Sequence, residues 1–520
     1  MASTTATHPR ARSYDLRAVA ERWFPLGIGT CTVALAIFFL ARLHAWPPHE
    51  DEALALFVGR DSLDGLLESV HGERGGAPLH FLVAWVVVHL GGGLTALRLA
   101  SALFAVASIP VLAALSNRLA GRRVALVATL LAAASWLFLF HGVYGRMYSL
   151  FLLTSGLSYL ALLVAVERGG RGRWALWALV TTAAIAAHPY GALVLGSQAV
   201  FVLARARTKY ALAALGAVVV AGIPFWLTDR VLAERLDVGV AQGSDRLPVL
   251  GYLTDAAGDA SSGFLAILVP ILALAAVGWR RLSPPAALLT ALVVVVPALV
   301  LALGHLGHAA SPESRHLIFA LPFFSTILAS GLVAVFGSRP ALVVALGVLL
   351  TAEVAWAWHR TPALFEGESA ARIEARQQAS AWLAATARPD DVLFGYDPLF
   401  LGAWEHDRDF PETVVPRADA ELALSALRSP ASLGRGTWVL DAGDGNNRPP
   451  RPTIALRLPS QAFEGRVFGP YLLLRTREPT RTPARYLTLA GTAMRLGKEL
   501  GIVDDDGNLD TVLLAEEKLR

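Results

Sequence analysis

The 520-residue chain is 55% hydrophobic and 17% charged, with a mean hydropathy of +0.51, where an ordinary globular chain carries roughly 25% charged residues. A soluble fold of 55.3 kDa has no core large enough to hide that apolar surface, so lipid is expected to cover the excess. A net charge of +4, with the basic residues in short clusters, argues against a nucleic-acid partner, and a single cysteine, Cys31, excludes an intramolecular disulfide framework and a zinc ribbon.

The first apolar run, Phe24 to Leu43, is long enough to span a bilayer and lacks an A-x-A cleavage site. Arg10, Arg12, Arg17 and Arg22 precede it, which keeps the N-terminus in the cytoplasm. Ten further spans are read at 97–117, 123–142, 146–166, 173–188, 190–205, 210–228, 263–279, 285–304, 316–336 and 340–358. The stretch Pro78 to Leu90 would be only about 20 Å long as a helix, short of a hydrocarbon core of about 30 Å. If it lies on the outer surface, sixteen Arg or Lys fall in the 47 residues assigned inside, against seven in the 82 assigned outside. Letting it cross would invert that asymmetry and break the positive-inside rule.

The expected fold is therefore a polytopic α-helical membrane protein of about eleven transmembrane helices plus outer juxtamembrane helices, with a C-terminal extracytoplasmic α/β domain. Its divisions are a cytoplasmic N-terminus 1–23, a membrane domain 24–358 with a first outer loop 44–96, an outer α/β domain 359–485, and a tail 486–520. In the outer domain Arg376 to Ala387 reads as helix, and Val392–Tyr396, Thr437–Asp441 and Tyr471–Thr476 read as strands. The tail carries an acidic break, Asp504-Asp505-Asp506, whose spacing is incomplete for a calcium loop and reads as a solvated turn. There is no internal repeat of the kind common in transporters.

The densest cluster of charge is His49-Glu50-Asp51-Glu52, directly after the first span. Pro47 and Pro48 precede it and an apolar run follows, so the acids fall in the first turn of a short helix, where the helix dipole favours their ionised form. Such a carboxylate can take a proton from a hydroxyl, and neighbouring oxygens suit Mg2+, Mn2+ or Ca2+. Capping a surface helix is an equal reading of the same residues. Arg146, Tyr148, His188, Tyr190, Arg315 and His316 begin or end spans on the same face; each alone is an ordinary interfacial residue. Together they bring imidazoles and two guanidiniums to the side of the acids, as a leaving phosphate requires.

An Asp-Glu pair after the first span, an amphipathic stretch and a Pro-Leu-aromatic helix resemble the GT-C superfamily of integral-membrane glycosyltransferases. The resemblance is stronger to the protein O-mannosyltransferases (glycosyltransferase family 39) and the aminoarabinose transferases of lipid A. It rests on Asp51-Glu52, Gly76 to Phe81, Gly145 to Leu150, His188-Pro189-Tyr190 and Ser314 to Pro322, and covers residues 24–358.

The resemblance implies a sugar, mannose first, carried on a polyprenyl phosphate in the plasma membrane. The acceptor would be a hydroxyl on a glycan, lipid or protein outside, with inversion at the anomeric carbon. It makes Asp51 the base and Glu52 its partner acid near a metal or the acceptor. It places Arg146 and Arg315 near the donor phosphate, makes Tyr148, Tyr190 and His316 substrate-binding, and puts His188 close to phosphate or metal. Asp51, Glu52 and His188 would hold a divalent ion, Mg2+ or Mn2+, if one is used.

The chain departs from the family's His-Pro-Pro-Leu at Gly76-Ala77-Pro78-Leu79, leaving His80 or His71 to replace the missing histidine. Ser149 and Leu150 stand where the aminoarabinose branch has an Asp after its Arg, which argues against that branch. No long carbohydrate-binding insert is present, which leaves a protein acceptor without support. A flippase of lipid-linked sugars and a non-catalytic scaffold remain the rival readings.

Overall fold

A computed structural model describes residues 16–238, 258–259, 263, 265–306, 314–337, 339–417, 419–441, 461–499 and 507–520. Arg10 and Arg12, much of the loop 229–262, the turn region 443–452 and the acidic break 504–506 lie outside the described residues. In chain order the membrane part runs α1 (Leu16–Arg42), α2 (Glu50–Val58), α3 (Leu63–Glu68), a π-turn (Ser69–Arg74), α4 (Pro78–His89), α5 (Leu94–Ala120), α6 (Arg122–Ala134), α7 (Trp136–His141), α8 (Tyr148–Arg168), α9 (Arg171–Ala187), α10 (Gly191–Arg205), α11 (Lys209–Val238), α12 (Leu265–Trp279), α13 (Pro284–Leu306), a 3-10 turn (Ser314–Ala320), α14 (Leu321–Val335) and α15 (Arg339–Arg360).

Among the described residues six helices are long and apolar enough to cross a bilayer: Phe24–Arg42, Leu94–Ala120, Tyr148–Arg168, Lys209–Leu232, Ser314–Val335 and Pro340–Arg360. Shorter apolar helices include Gly191–Arg205, Leu268–Trp279 and Pro284–Val300. The outward faces of these helices carry Ile37, Leu103, Val200, Val220, Val269 and Val343, all exposed. Apolar side chains on the outside of a packed bundle are the arrangement lipid requires, and the chain is a multi-pass membrane protein. The run read as one span over 123–142 is broken at Ser135, whose backbone is extended (φ −61°, ψ 139°), so α6 and α7 are separate helices.

With no water to drive association, membrane helices close on small residues and shared polar contacts. A Cβ on Gly278 of α12 would lie 1.8 Å from the Ile327 carbonyl of α14, and one on Gly331 would lie 1.9 Å from the Leu274 carbonyl. The two backbones touch because both glycines lack it. Ser116 of α5 and Thr326 of α14 share a buried hydrogen bond of 2.8 Å.

The outer part contains α16 (Pro362–Glu366), α17 (Ala370–Thr386), β1 (Val392–Phe394), α18 (Pro398–His406), β2 (Val414–Val415), α19 (Ala420–Arg428), β3 (Gly436–Asp441), β4 (Phe463–Phe468), β5 (Tyr471–Thr476), α20 (Pro483–Glu499) and α21 (Gly507–Leu519). The sheet order is β2-β1-β3-β5-β4, with β2-β1-β3 parallel and β3-β5-β4 antiparallel. Side chains alternate between two cores, as the strand period of two demands. Val392, Phe394, Trp438, Leu440, Leu472 and Leu474 pack against α19, α20 and α21. Leu393, Val439, Tyr471 and Leu473 pack with α17 and α18 against Ala55, Leu56 and Phe57 of α2 and Phe81 and Ala84 of α4. The segment read as a tail from 486 thus covers one sheet face, and the surface helices of the membrane part cover the other. Arg60 adds to that seam by donating to the carbonyls of Phe410 (3.1 Å) and Pro411 (3.4 Å).

Candidate active site

The site grows from the start of α2. His49 caps the helix: its Nδ1 accepts from the Asp51 N–H at 3.2 Å, and the Glu52 carboxylate accepts from the His49 N–H at 3.2 Å. Such reciprocal capping fixes the direction of the first turn and separates its three acids.

Glu52 is turned inward and fully buried, and Arg98, in the second turn of α5, is 2% exposed. Arg98 Nε donates to Glu52 Oε1 (2.8 Å) and Nη2 to Oε2 (2.6 Å). Its remaining donors go to the carbonyls of Leu43 (2.9 Å), Trp46 (2.7 Å) and Pro47 (3.1 Å). All five guanidinium N–H groups are committed, which removes the usual objection to a buried cation. Gly145 N–H also donates to Glu52 Oε1 at 2.7 Å, and a Cβ there would lie 2.9 Å from that oxygen, so the approach requires glycine.

Asp51 faces the other way and stays partly exposed. The Tyr144 hydroxyl donates to its Oδ2 at 3.1 Å and lies 3.0 Å from His49 Nδ1. Arg146 holds Asp51 twice, with Nε 3.6 Å from Oδ2 and Nη1 3.3 Å from the backbone carbonyl. Burial alone would raise the Asp51 carboxyl, but Arg146, His49, Arg315 and the Tyr144 hydroxyl outweigh it and hold it below the usual carboxylate range. Burial pushes Tyr144 well above its usual value, with the Asp51 charge adding to the effect, so its hydroxyl keeps the proton it donates. His80 is buried and within electrostatic reach of Arg146 and Asp51.

A second cluster adjoins the first. The His188 ring lies 5.6 Å from Tyr148, 5.4 Å from Tyr190 and 5.6 Å from His316, and it stacks on Phe151 at 4.7 Å. His316 stacks on Tyr190 at 4.9 Å, and the Arg315 guanidinium sits 5.6 Å from the Tyr148 ring. The Tyr190 N–H donates to His188 Nδ1 at 3.1 Å, which leaves the proton of the neutral ring on Nε2. That Nε2 is buried and has no hydrogen-bond partner among the described residues. The 3-10 turn is held in place from Ser314, whose hydroxyl donates to Asp259; Asp259 also accepts from Trp356 Nε1 at 3.0 Å and lies 3.4 Å from Arg360 Nε.

The structure therefore brings Asp51, Arg146, Tyr148, His188, Tyr190, Arg315 and His316 to one face, with His80 close by. Glu52 is placed differently from the expected partner acid near a metal or acceptor: both its oxygens are engaged by Arg98 and Gly145. Among the described residues no group of three or more His, Cys, Asp or Glu could hold a metal ion, so Asp51, Glu52 and His188 do not assemble as a metal set. Arg98 is not singled out by the sequence reading. A charge inside a span was the available signal for Arg98. The outer domain reaches the same helix, since Arg417 lies 3.7 Å from Glu50 and 3.2 Å from Asp397, and the Tyr396 N–H donates to Glu50 at 3.3 Å.

No family model and no curated protein matches the chain. Among solved structures, ArnT from Cupriavidus metallidurans in the apo state superposes with a TM-score of 0.57 at 17% identity, covering 88% of this chain and 98% of that one. The same protein bound to undecaprenyl phosphate gives 0.54 at 14% identity, covering 87% and 98%. An oligosaccharyltransferase from Archaeoglobus fulgidus gives 0.49 at 10% identity, covering 80% and 69%. The chain shares the fold of the two ArnT structures.

Proposed function

We propose that the chain is a glycosyltransferase that moves a sugar from a polyprenyl-phosphate donor to a hydroxyl acceptor on the outer face of the plasma membrane. Asp51 acts as the general base, and the anomeric centre inverts. The acceptor hydroxyl gives its proton to Asp51 as its oxygen attacks the anomeric carbon. The bond from that carbon to the phosphate oxygen breaks on the opposite face, and the phosphate leaves with an added negative charge. Arg315 and the His188 Nε2–H serve the phosphate end, while Arg146 lies between the two ends and keeps Asp51 ionised. The exposed apolar faces of the membrane helices suit the lipid tail.

One observation carries this reading: Asp51, held below the usual carboxylate range, has the Arg146 guanidinium 3.6 Å away and Arg315 within electrostatic reach. The ArnT structure that holds undecaprenyl phosphate has the same fold and supports the choice of donor. The flippase alternative is weakened by Arg98, a buried charge whose every donor is fixed and so is not placed to move. The test is transfer of label from radiolabelled polyprenyl-phosphate sugars, mannose first, by the purified chain in bilayers. Lipid movement with no transfer by the wild type would replace this reading with the flippase.

The electrostatics give a pH dependence. Asp51 is active when ionised, so kcat/KM should rise with pH through its pKa and then level off, with the acid limb below the usual carboxylate range. Arg146→Gln removes the largest influence that lowers this pKa. The limb should therefore move to higher pH, together with a loss of rate. A limb that stays in place in the variant would show that Asp51 is not the titrating base.

A further inference from the structure

His141 ends α7 and takes no part in the machinery described so far. Its ring is 1% exposed, and neither ring nitrogen has a hydrogen-bond partner among the described residues. Buried polar atoms are paired in roughly nine cases of ten, and an imidazole in any protonation state carries at least one N–H. An N–H is therefore left over in the interior with no acceptor on the protein. The ring is 4.3 Å from that of Tyr148, the same ring that the Arg315 guanidinium approaches to 5.6 Å. Arg146, Arg315 and His316 are all within its electrostatic reach, and His141 is within reach of His188 in turn.

The local chain is built to put the ring there. The break at Ser135 ends α6, and the short helix Trp136–His141 turns at Gly142, where a Cβ would lie 2.3 Å from the Phe39 ring. The His141 carbonyl is pinned by the Ser149 hydroxyl at 2.5 Å. The backbone at 141 is thus fixed from two sides, while among the described residues the imidazole meets aromatic rings and has no hydrogen-bond partner.

We propose that His141 is a further catalytic residue of this site: it donates a hydrogen bond to the donor phosphate and stabilises the charge that grows there as the glycosidic bond breaks. This rests on the glycosyltransferase reading above. The phosphodiester carries one negative charge before transfer and the released phosphomonoester two, the acceptor proton having gone to Asp51. A donor aimed at that oxygen is worth most in the transition state, where its charge is rising.

The experiment uses the full chain in lipid nanodiscs, titrated with undecaprenyl phosphate and, separately, with undecaprenol, which lacks the phosphate. The wild type should prefer the phosphate. His141→Phe keeps an aromatic ring but has no donor, and should lose about tenfold or more in affinity for the phosphate lipid while keeping its affinity for the alcohol. His141→Gln, which retains an N–H, should lose less. His141→Leu gives the same readout should the Phe variant not fold. Equal phosphate binding by wild type and the Phe or Leu variant overturns the role of His141 and leaves the glycosyltransferase reading standing. Loss of both lipids to the same degree assigns His141 to packing and likewise overturns the proposal. A wild type that does not distinguish the two lipids overturns the donor reading, and His141 with it.

Discussion

Asp51→Asn is expected to lower transfer by about 10²–10⁴-fold, the usual worth of a positioned general base, with donor-lipid binding retained. The substitution keeps the shape of the side chain and an oxygen for the Tyr144 hydroxyl, which donates to Asp51 at 3.1 Å, but removes the carboxylate proposed to take the acceptor proton. The loss should fall on kcat, because the acceptor hydroxyl is bound before its proton moves. Asp64→Asn is a fitting control, since that carboxylate is exposed on α3 in the same outer loop. Equal losses in the two variants would mean that the loop needs negative charge in general and that Asp51 has no special place in the chemistry.

The second large effect is on stability. Glu52→Ala or Arg98→Ala should each cost about 3–5 kcal/mol, because the remaining charge is left buried and unpaired. Thermal melting of the purified chain in detergent would show this as a lowered Tm. The pair Glu52→Leu with Arg98→Met should not restore the loss, although apolar replacements of buried ion pairs often do. Arg98 also satisfies the carbonyls of Leu43, Trp46 and Pro47, and a methionine leaves all three without a donor. A double variant as stable as the wild type would show that those carbonyls find other partners.

Properties that add up along the chain were legible in the sequence. Apolar excess, the arginine asymmetry and the strand pattern at 437–441 and 471–476 each depend on neighbouring residues, so a local reading finds them. The helix start at Glu50 was legible because a Pro-Pro pair and three acids mark it whatever the chain does later. Features that depend on distant partners were not. β2 is two residues long and exists because Val414 and Val415 pair with Leu393 and Phe394. The break at Ser135 lies inside an unbroken apolar run with no proline or glycine to announce it. Glu52 and Asp51 are adjacent carboxylates with the same sequence signature, yet one lies sealed against Arg98 from another helix and the other faces Tyr144 and Arg146. The side chain of Arg98, 46 residues away, decides which acid is structural, and nothing near position 52 reveals it.

The sheet whose inner face rests on α2 and α4 has a consequence for how the chain can be divided. Leu56, Phe57 and Ala84 are covered by Leu399, Phe400 and Trp404, so the boundary near residue 359 does not separate two self-sufficient modules. A fragment ending there would present a water-facing apolar patch directly beside Asp51, and should aggregate or fold poorly when expressed alone. Co-expression with residues 359–520 as a separate chain should rescue it. The sheet domain thereby covers the helix that carries Asp51, and the two parts are expected to unfold together.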